Sequence, residues 1–383
     1  MTTRLLLVGL GHAHLFVLEA AARGRLPGVS LSVCMGEDEH VYSGMVPGWI
    51  RDRYRADELA LDVDALCAWA GATRVPQQVT GVDAAGRVVQ LADGATVGFD
   101  RCSIAVGSRP AGRDTVPGVA EHALTLKPLA TVATLRERVD MLAANGGGAI
   151  TIVGGGLAGL EVAFALRARL RAWRARMPST SHRCSIAVLT QDASLLPARP
   201  RLAARVRHAL TRHEISLHTG ATVVGVDASA VTLARGTRVP SALTIWATGA
   251  SPPAWFRSSG LATDARGFLR VNGHLQVEGA PHVFAAGDCA SLADWPDTPK
   301  AGVFAVRMGP VLARTLAAAV AERPLPPPYT PQRHYLTLVD TGDGRAIASR
   351  GEWTAEGRWV AWWKDQLDRR FVARFQRPAR RAT

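Results

Sequence analysis

Two glycine-spaced stretches carry most of the chemistry in this 383-residue chain. The first, Gly9-Leu10-Gly11-His12-Ala13-His14, follows the apolar run Leu5–Val8. The second, Gly154-Gly155-Gly156-Leu157-Ala158-Gly159-Leu160-Glu161, follows Ala149–Val153. A glycine at the end of a buried strand permits a tight turn into a helix. A second glycine lets main-chain N–H groups reach a pyrophosphate at the helix N-terminus. Gly154, Gly156 and Gly159 satisfy the full Gly-x-Gly-x-x-Gly spacing. The first stretch has His14 in the third position, so a glycine turn with no ligand is its alternative reading. Two units in one chain offer two dinucleotide sites, which is what hydride transfer between two dinucleotides requires.

An acidic residue beyond the second strand of such a unit binds ribose hydroxyls. After Leu31–Cys34 the candidate is Glu37. In the second unit that place falls at Thr190-Gln191-Asp192, with no acid squarely at the strand end, so NADH and NADPH both stay open. Glu161 stands early in the second helix. It can orient a nicotinamide amide or serve proton uptake by an acceptor, or it can be a carboxylate favoured by the helix dipole. His12 and His14 have no further ligand residues nearby in sequence, and no metal site is expected.

The elements that must hold these turns follow from hydrophobic period. Leu5–Val8 reads as a strand, His14–Ala22 as a helix and Val29–Cys34 as a second strand. Asp57–Ala70 reads as a helix. Val88–Leu91 and Thr96–Phe99 flank Asp93-Gly94 as a hairpin. Cys102–Val106 is a buried strand ending at Gly107. The pattern restarts with helix Leu129–Leu142, strand Ala149–Val153, helix Leu160–Trp173 and strand Ser185–Leu189. Val223–Val226, Thr232–Leu233 and Leu243–Trp246 are expected to continue that sheet. Pro324–Pro331 reads as a linker before an α+β tail. No apolar run reaches the roughly 20 residues that span a bilayer, and Met1–Leu10 reads as a buried strand rather than a signal peptide.

Three further segments set the class. Phe99–Pro110 resembles the strand-and-glycine crossover of flavoproteins with two dinucleotide folds, Trp246-Ala247-Thr248-Gly249-Ala250 repeats it, and Val283-Phe284-Ala285-Ala286-Gly287-Asp288-Cys289 resembles their second flavin motif. Taken in this order, the chain resembles the pyridine nucleotide-disulfide oxidoreductase superfamily, near type II NADH dehydrogenases and sulfide:quinone oxidoreductases. The segments Gly11–His14, Tyr42–Gly48, Lys300–Arg307 and Trp363–Phe371 are most similar to the flavoprotein module fused ahead of selenide, water dikinase. The kinase half has no counterpart here, so selenophosphate synthesis is not implied.

The resemblance implies an α/β fold of two Rossmann-like domains, for FAD and NAD(P), plus a small α+β C-terminal domain. The FAD domain would take residues 1–125 and 251–325, the NAD(P) domain 126–250 and the C-terminal domain 326–383. It implies FAD on Gly9, Gly11, His12, His14, Glu37, Tyr42, Ser43, Gly44, Met45, Pro47, Val106, Gly107, Ser108, Gly287 and Asp288. Lys300, Gly302, Val303 and Phe304 would cover the flavin, and Gly154, Gly156, Gly159 and Gly249 would serve NADH or NADPH. Glu161 and Lys300 are the expected catalytic residues. The implied activity is FAD-dependent transfer of hydride from NAD(P)H to flavin and on to a small-molecule acceptor, a quinone by resemblance. The alternatives are a flavoprotein acting on a sulfur or selenium species, or a nucleotide sensor without turnover.

Five widely spaced cysteines include no CxxC or CxxxxC pair, which disfavours thiol redox chemistry and fits a reducing cytosol. The net charge of +13 comes with no nucleic-acid motif, and the arginines of 167–212 read as solvated helix faces. In the tail, Trp359, Trp363, Leu367, Phe371 and Phe375 recur every fourth residue among Arg369, Arg370, Arg374, Arg377, Arg380 and Arg381. That stripe fits a helix lying on the inner membrane face, or one packed on the flavin domain or on a second subunit of a homodimer.

Overall fold

A computed structural model describes residues 2–37, 39–177 and 184–379. In chain order its main elements are β1 (Thr3–Val8), α1 (His12–Ala22), β2 (Val29–Cys34), β3 (Arg101–Ile104), β4 (Ala149–Val153), α2 (Leu157–Arg176), β5 (Ser185–Leu189), β6 (Leu243–Trp246), β7 (Ala280–Ala285), α3 (Gly302–Val320) and α4 (Arg358–Ala379). Leu5, Leu6, Leu7 and Val8 are all buried. A strand apolar on both faces belongs inside a parallel sheet covered on each side. Accordingly β1 pairs in parallel with β2 and β3, and β7 adds in parallel beyond β3. Helices α1 and α3 pack on each other where Gly309 leaves room for the ring of Phe16; a Cβ at Gly309 would stand 2.3 Å from that ring.

The second sheet is wholly parallel, in the order Ala123–Thr125, β6, β4, β5, Ile215–His218. Val223–Val226 and Ala230–Leu233 do not continue it. With Arg238–Pro240 they form a separate antiparallel sheet. Alternating burial rather than a continuous apolar run was the available sign of a one-sided strand. Asp57–Ala70 is likewise not one helix. A turn at Ala56–Glu58 leads to the strand Ala60–Asp62, and the helix begins at Val63 with the Asp62 carboxylate accepting from Ala65 N. Asp62 is a stronger helix start than anything before it.

Three antiparallel strands, Thr337–Asp340, Ala346–Arg350 and Trp353–Gly357, precede α4. The tail stripe divides along α4. Phe375 is buried, edge-on to Phe16 and Phe371, and Phe371 stacks on Tyr42. Trp359 and Leu367 stay exposed, and so does Trp362, which lies off the stripe. Arg374 reaches the buried Glu19 of α1 at 2.6 Å. Arg380 and Arg381 lie outside the described residues. The arginines of 167–212 are not simply solvated either. Arg169 meets Asp52, Arg199 donates to Thr337 Oγ1, and Arg212 meets Asp343 and Glu356. They tie the second sheet's domain to its neighbours. Among the described residues one helix, α3, is long and apolar enough to cross a membrane. Phe304, Met308, Leu312 and Leu316 bury its inner face.

Candidate functional site

The first glycine turn is shaped by β3. A Cβ on Gly11 would lie 2.5 Å from the Ala105 carbonyl, and one on Gly9, at φ +74°, 2.8 Å from Val106. His14 takes no part in facing a ligand. Its ring is fully buried, with Nδ1 donating to Gly9 O at 2.7 Å and Nε2 accepting from Ser103 Oγ at 2.9 Å. Burial pulls its pKa down to about 4 against the Gly9 bond, so the ring is neutral and pins the turn to β3. This corrects the sequence expectation of His14 as a cofactor contact. His12 opens α1 beside Tyr42 and Phe371, at centroid distances of 5.6 and 5.7 Å. Glu37 is exposed past β2, where its carboxylate accepts from Gln78 at 3.3 Å.

In the second turn the glycines divide. A Cβ on Gly154 would meet Ala247 O at 2.1 Å, and one on Gly159 would meet Gly154 O at 2.2 Å. Those two are needed by the backbone itself. Gly156 caps α2 at φ −73°, and its Cβ would have no atom within 4 Å. Open space over a helix N-terminus is the shape a pyrophosphate needs. Gly249 has similarly open surroundings, and a Cβ on Gly107 would meet only the Lys127 ammonium, at 3.9 Å. The two crossovers meet each other: Arg109-Pro110 pairs antiparallel with Ala250-Ser251, and Ala111 O accepts from Trp246 Nε1 and Thr248 Oγ1. Val106 and Ser108 are half-buried on the way into this ribbon.

Gly287, at φ +78°, turns the chain after β7, and Asp288 follows half-buried. Among the described residues the Asp288 carboxylate has no hydrogen-bond partner, which fits a group that bonds a ligand hydroxyl. Lys300 is placed differently from expectation. Its ammonium donates to the Ala290 carbonyl and lies 4.2 Å from the Phe268 ring centre. Burial lowers its pKa to about 8. It braces the loop that ends at Gly302 and Val303, where α3 begins, and Phe304 is buried edge-on to Tyr335. Cys289 donates to Ile104 O and Ala286 O, and burial raises its pKa to about 11, so it is no nucleophile. All five cysteines are free.

Glu161 does not face the Gly156 opening. On α2 it points to the junction of all three domains, where Oε1 accepts from Asp340 N at 3.0 Å and lies 3.9 Å from Lys364 Nζ. Lys364 also donates to Asp368 and to Gly44 O, both at 2.8 Å. The Tyr42 hydroxyl donates to Asp368 at 3.1 Å, and Arg51 pairs with Asp340 at 2.7 Å. Burial pushes the Glu161 pKa up to about 7, against the pull of Lys364. Burial also raises Asp368, while Lys364 is held charged by Glu161 and Asp368 despite its own burial. Ser43, Gly44 and Met45 form a single turn leading into the short helix Val46–Ile50, with Met45 and Pro47 buried. The sequence reading gave Lys364, Asp368 and Asp340 no role. A lysine and an aspartate four apart among tryptophans and phenylalanines was the one available sign.

Two glycine turns from strand into helix, a paired crossover and an unpartnered aspartate after a third strand-end glycine are the features of a flavoprotein of two dinucleotide domains. Residues 3–309 match the family described as pyridine nucleotide-disulphide oxidoreductase, and the chain belongs to that family. It is an FAD-dependent oxidoreductase that uses NAD(H). It is 30% identical to an NADH dehydrogenase-like protein of Mycobacterium tuberculosis over 91% of this chain and 88% of that one. It is 26% identical to the demethylphylloquinone reductase of Synechocystis, over 82% and 78%. In fold it is similar to the sulfide:quinone oxidoreductase of Aquifex aeolicus, with a TM-score of 0.81 at 15% identity over 98% and 92% of the two chains. It is equally similar to NDH2 of Plasmodium falciparum in complex with NADH, at 0.81 and 13% over 98% and 97%.

Proposed function

We propose that this enzyme passes the electrons of NADH to a quinone and that Glu161 supplies a proton to the reduced acceptor. The observation that carries the reading is the buried Glu161–Lys364–Asp368–Tyr42 cluster, two carboxylates sharing one ammonium where the three domains meet. FAD, when bound, takes hydride from nicotinamide and passes two electrons onward. In this reading Gly9, Gly11, His12, Tyr42–Met45, Pro47, Val106–Ser108, Gly287 and Asp288 hold the flavin nucleotide, and Gly154, Gly156, Gly159 and Gly249 receive the nicotinamide nucleotide. Lys364 pulls against the burial that raises Asp368, and it tethers the Gly44 loop. Glu161 then carries the proton below its pKa of about 7. The quinone reductase among the relatives is in line with this acceptor, and a cysteine set without a reactive pair speaks against a sulfur or selenium substrate.

The expected pH dependence follows from the sign of that shift. Protonated Glu161 is the donor, so quinone-dependent turnover falls as pH rises through about 7, approaching tenfold per unit above it. Glu161→Gln flattens this limb and lowers turnover, while reduction of the flavin by NADH in the absence of acceptor stays fast. If flavin reduction slows as much as turnover does, Glu161 serves the nicotinamide instead and the proton reading is wrong.

A peripheral membrane position goes with a lipid-soluble acceptor. Trp359 and Trp362 are 54% and 64% exposed, on a helix that also carries exposed Arg358 and Arg370. Aromatic rings among basic residues suit an anionic lipid surface, where each charge contributes about 1 kcal/mol. The protein should sediment with anionic vesicles at low salt and be released at high salt, and the double variant Trp359→Ser/Trp362→Ser should stay in solution with its flavin bound. A homodimer that covers Trp362 in solution, with no vesicle binding, would overturn this.

A further inference from the structure

One cluster beside the first glycine turn adds to the flavin-holding His12 and Tyr42 two residues, His40 and Lys127, that have no part in the chemistry above. His12 begins α1, and His40 sits on the short strand Glu39–Val41 with its ring centre 5.0 Å from that of His12. His40 bonds the Leu10 main chain, which leaves its Nε2 buried and without a partner. Lys127 brings its ammonium 3.9 Å from the place a Cβ would occupy on Gly107. Its charge acts on both imidazoles. Tyr42 and Phe371 close the remaining side of His12, with Tyr42 hydrogen-bonded to Asp368. Among the described residues no carboxylate acts on either histidine, and Lys127 has no anionic partner.

A buried imidazole and a half-buried one, an orphaned ring nitrogen, an unpaired ammonium and the free N–H groups of a helix start thus converge with no negative charge among them. Burial costs charge unless a counter-charge is present. We infer that the pyrophosphate of FAD is that counter-charge, and that its binding draws one proton from solvent onto the His12–His40 pair, with Lys127 as the pocket's fixed cation. The inference rests on the flavin assignment and adds to it a proton linkage and two residues, His40 and Lys127. Without the anion, burial and Lys127 keep the rings neutral, with His40 at about 4 and His12 also well below its ordinary value. A dianion alongside reverses the sign of the local field. Uptake of one proton makes affinity fall by up to about tenfold per pH unit between the free and bound pKa values.

The test is the Kd of the apoprotein for FAD, read from flavin fluorescence at pH 5.5 and 7.5. FAD should bind at least about tenfold more weakly at pH 7.5. ADP, which keeps the pyrophosphate, should show the same trend, and riboflavin, which lacks it, none. The double variant His12→Asn/His40→Gln cannot ionise and should bind FAD with no pH slope, its fold checked by circular dichroism. Lys127→Ala should weaken FAD and ADP binding and leave riboflavin untouched. Equal Kd values for the unaltered protein at the two pH values overturn the proposal, as does a slope that persists in the double variant or appears with riboflavin. A folded apoprotein that takes up no FAD at either pH overturns the flavin assignment itself.

Discussion

Replacing Gly156 by valine should all but stop reduction of the flavin by NADH while the protein keeps its FAD. The backbone at Gly156 has φ −73°, which valine adopts freely, and a Cβ there has no protein atom within 4 Å. The change therefore acts on whatever approaches the N-terminus of α2. Losing two hydrogen bonds from that helix end to a pyrophosphate, at about 1.5–3 kcal/mol each for a charged acceptor, lowers the rate at limiting NADH by roughly 10² to 10⁴. Anaerobic stopped-flow bleaching of the flavin measures it. Gly154→Val would be uninformative, because a Cβ there strikes Ala247 O and the turn itself would give way. Unchanged reduction, or loss of FAD from Gly156→Val, would mean the two turns have been given the wrong nucleotides.

Lys364→Met should cost stability on a comparable scale. Among the described residues the ammonium is the one cation within bonding reach of Asp368, and Glu161 lies 3.9 Å from it. Removing one partner of a buried ion pair costs about 3–5 kcal/mol, because the other charge is left uncompensated. The urea midpoint should drop accordingly at pH 8. The defect should shrink as pH falls, since both carboxylates are raised in the folded state and take up protons more readily there than in the unfolded chain. Adding Glu161→Gln and Asp368→Asn should restore much of the loss. A midpoint unchanged at pH 8 would show that the cluster is wetter than its burial implies, and would weaken the case for Glu161 as a proton donor.

The parts of this molecule that were legible in the sequence are those with local causes. Leu5–Val8 and Ala149–Val153 read as strands because both faces are apolar, and the glycine turns read as turns because their spacing is short-range. What was not legible depends on partners far away along the chain. His14 occupies a ligand-facing position in the motif, yet Ser103, 89 residues on, decides that it faces inward. Glu161 stands early in its helix as the sequence shows, but its surroundings come from Asp340 and Lys364. The tail showed one stripe of five aromatic and aliphatic residues. Its division into a buried half and an exposed half depends on Phe16, Tyr42 and Glu19, which periodicity along α4 cannot report.

The placement of β7 beside β3 has a consequence for how the chain is made. As the polypeptide leaves the ribosome, β1, β2 and β3 appear first, and then β3 waits for the edge partner that lies about 180 residues downstream. At ~5–20 residues per second that delay is roughly 10–35 s. The second sheet, whose strands all lie between Ala123 and Trp246, can close during the wait. The first cannot, and it presents an open apolar strand edge of the kind that recruits chaperones or other nascent chains. Gly287 and Asp288 emerge only after β7, and Phe371, which closes over His12, later still. Newly made protein should therefore pass through a colourless stage in which the nicotinamide half is already folded, and strains short of chaperones should lose yield at that stage rather than accumulate a soluble apoenzyme.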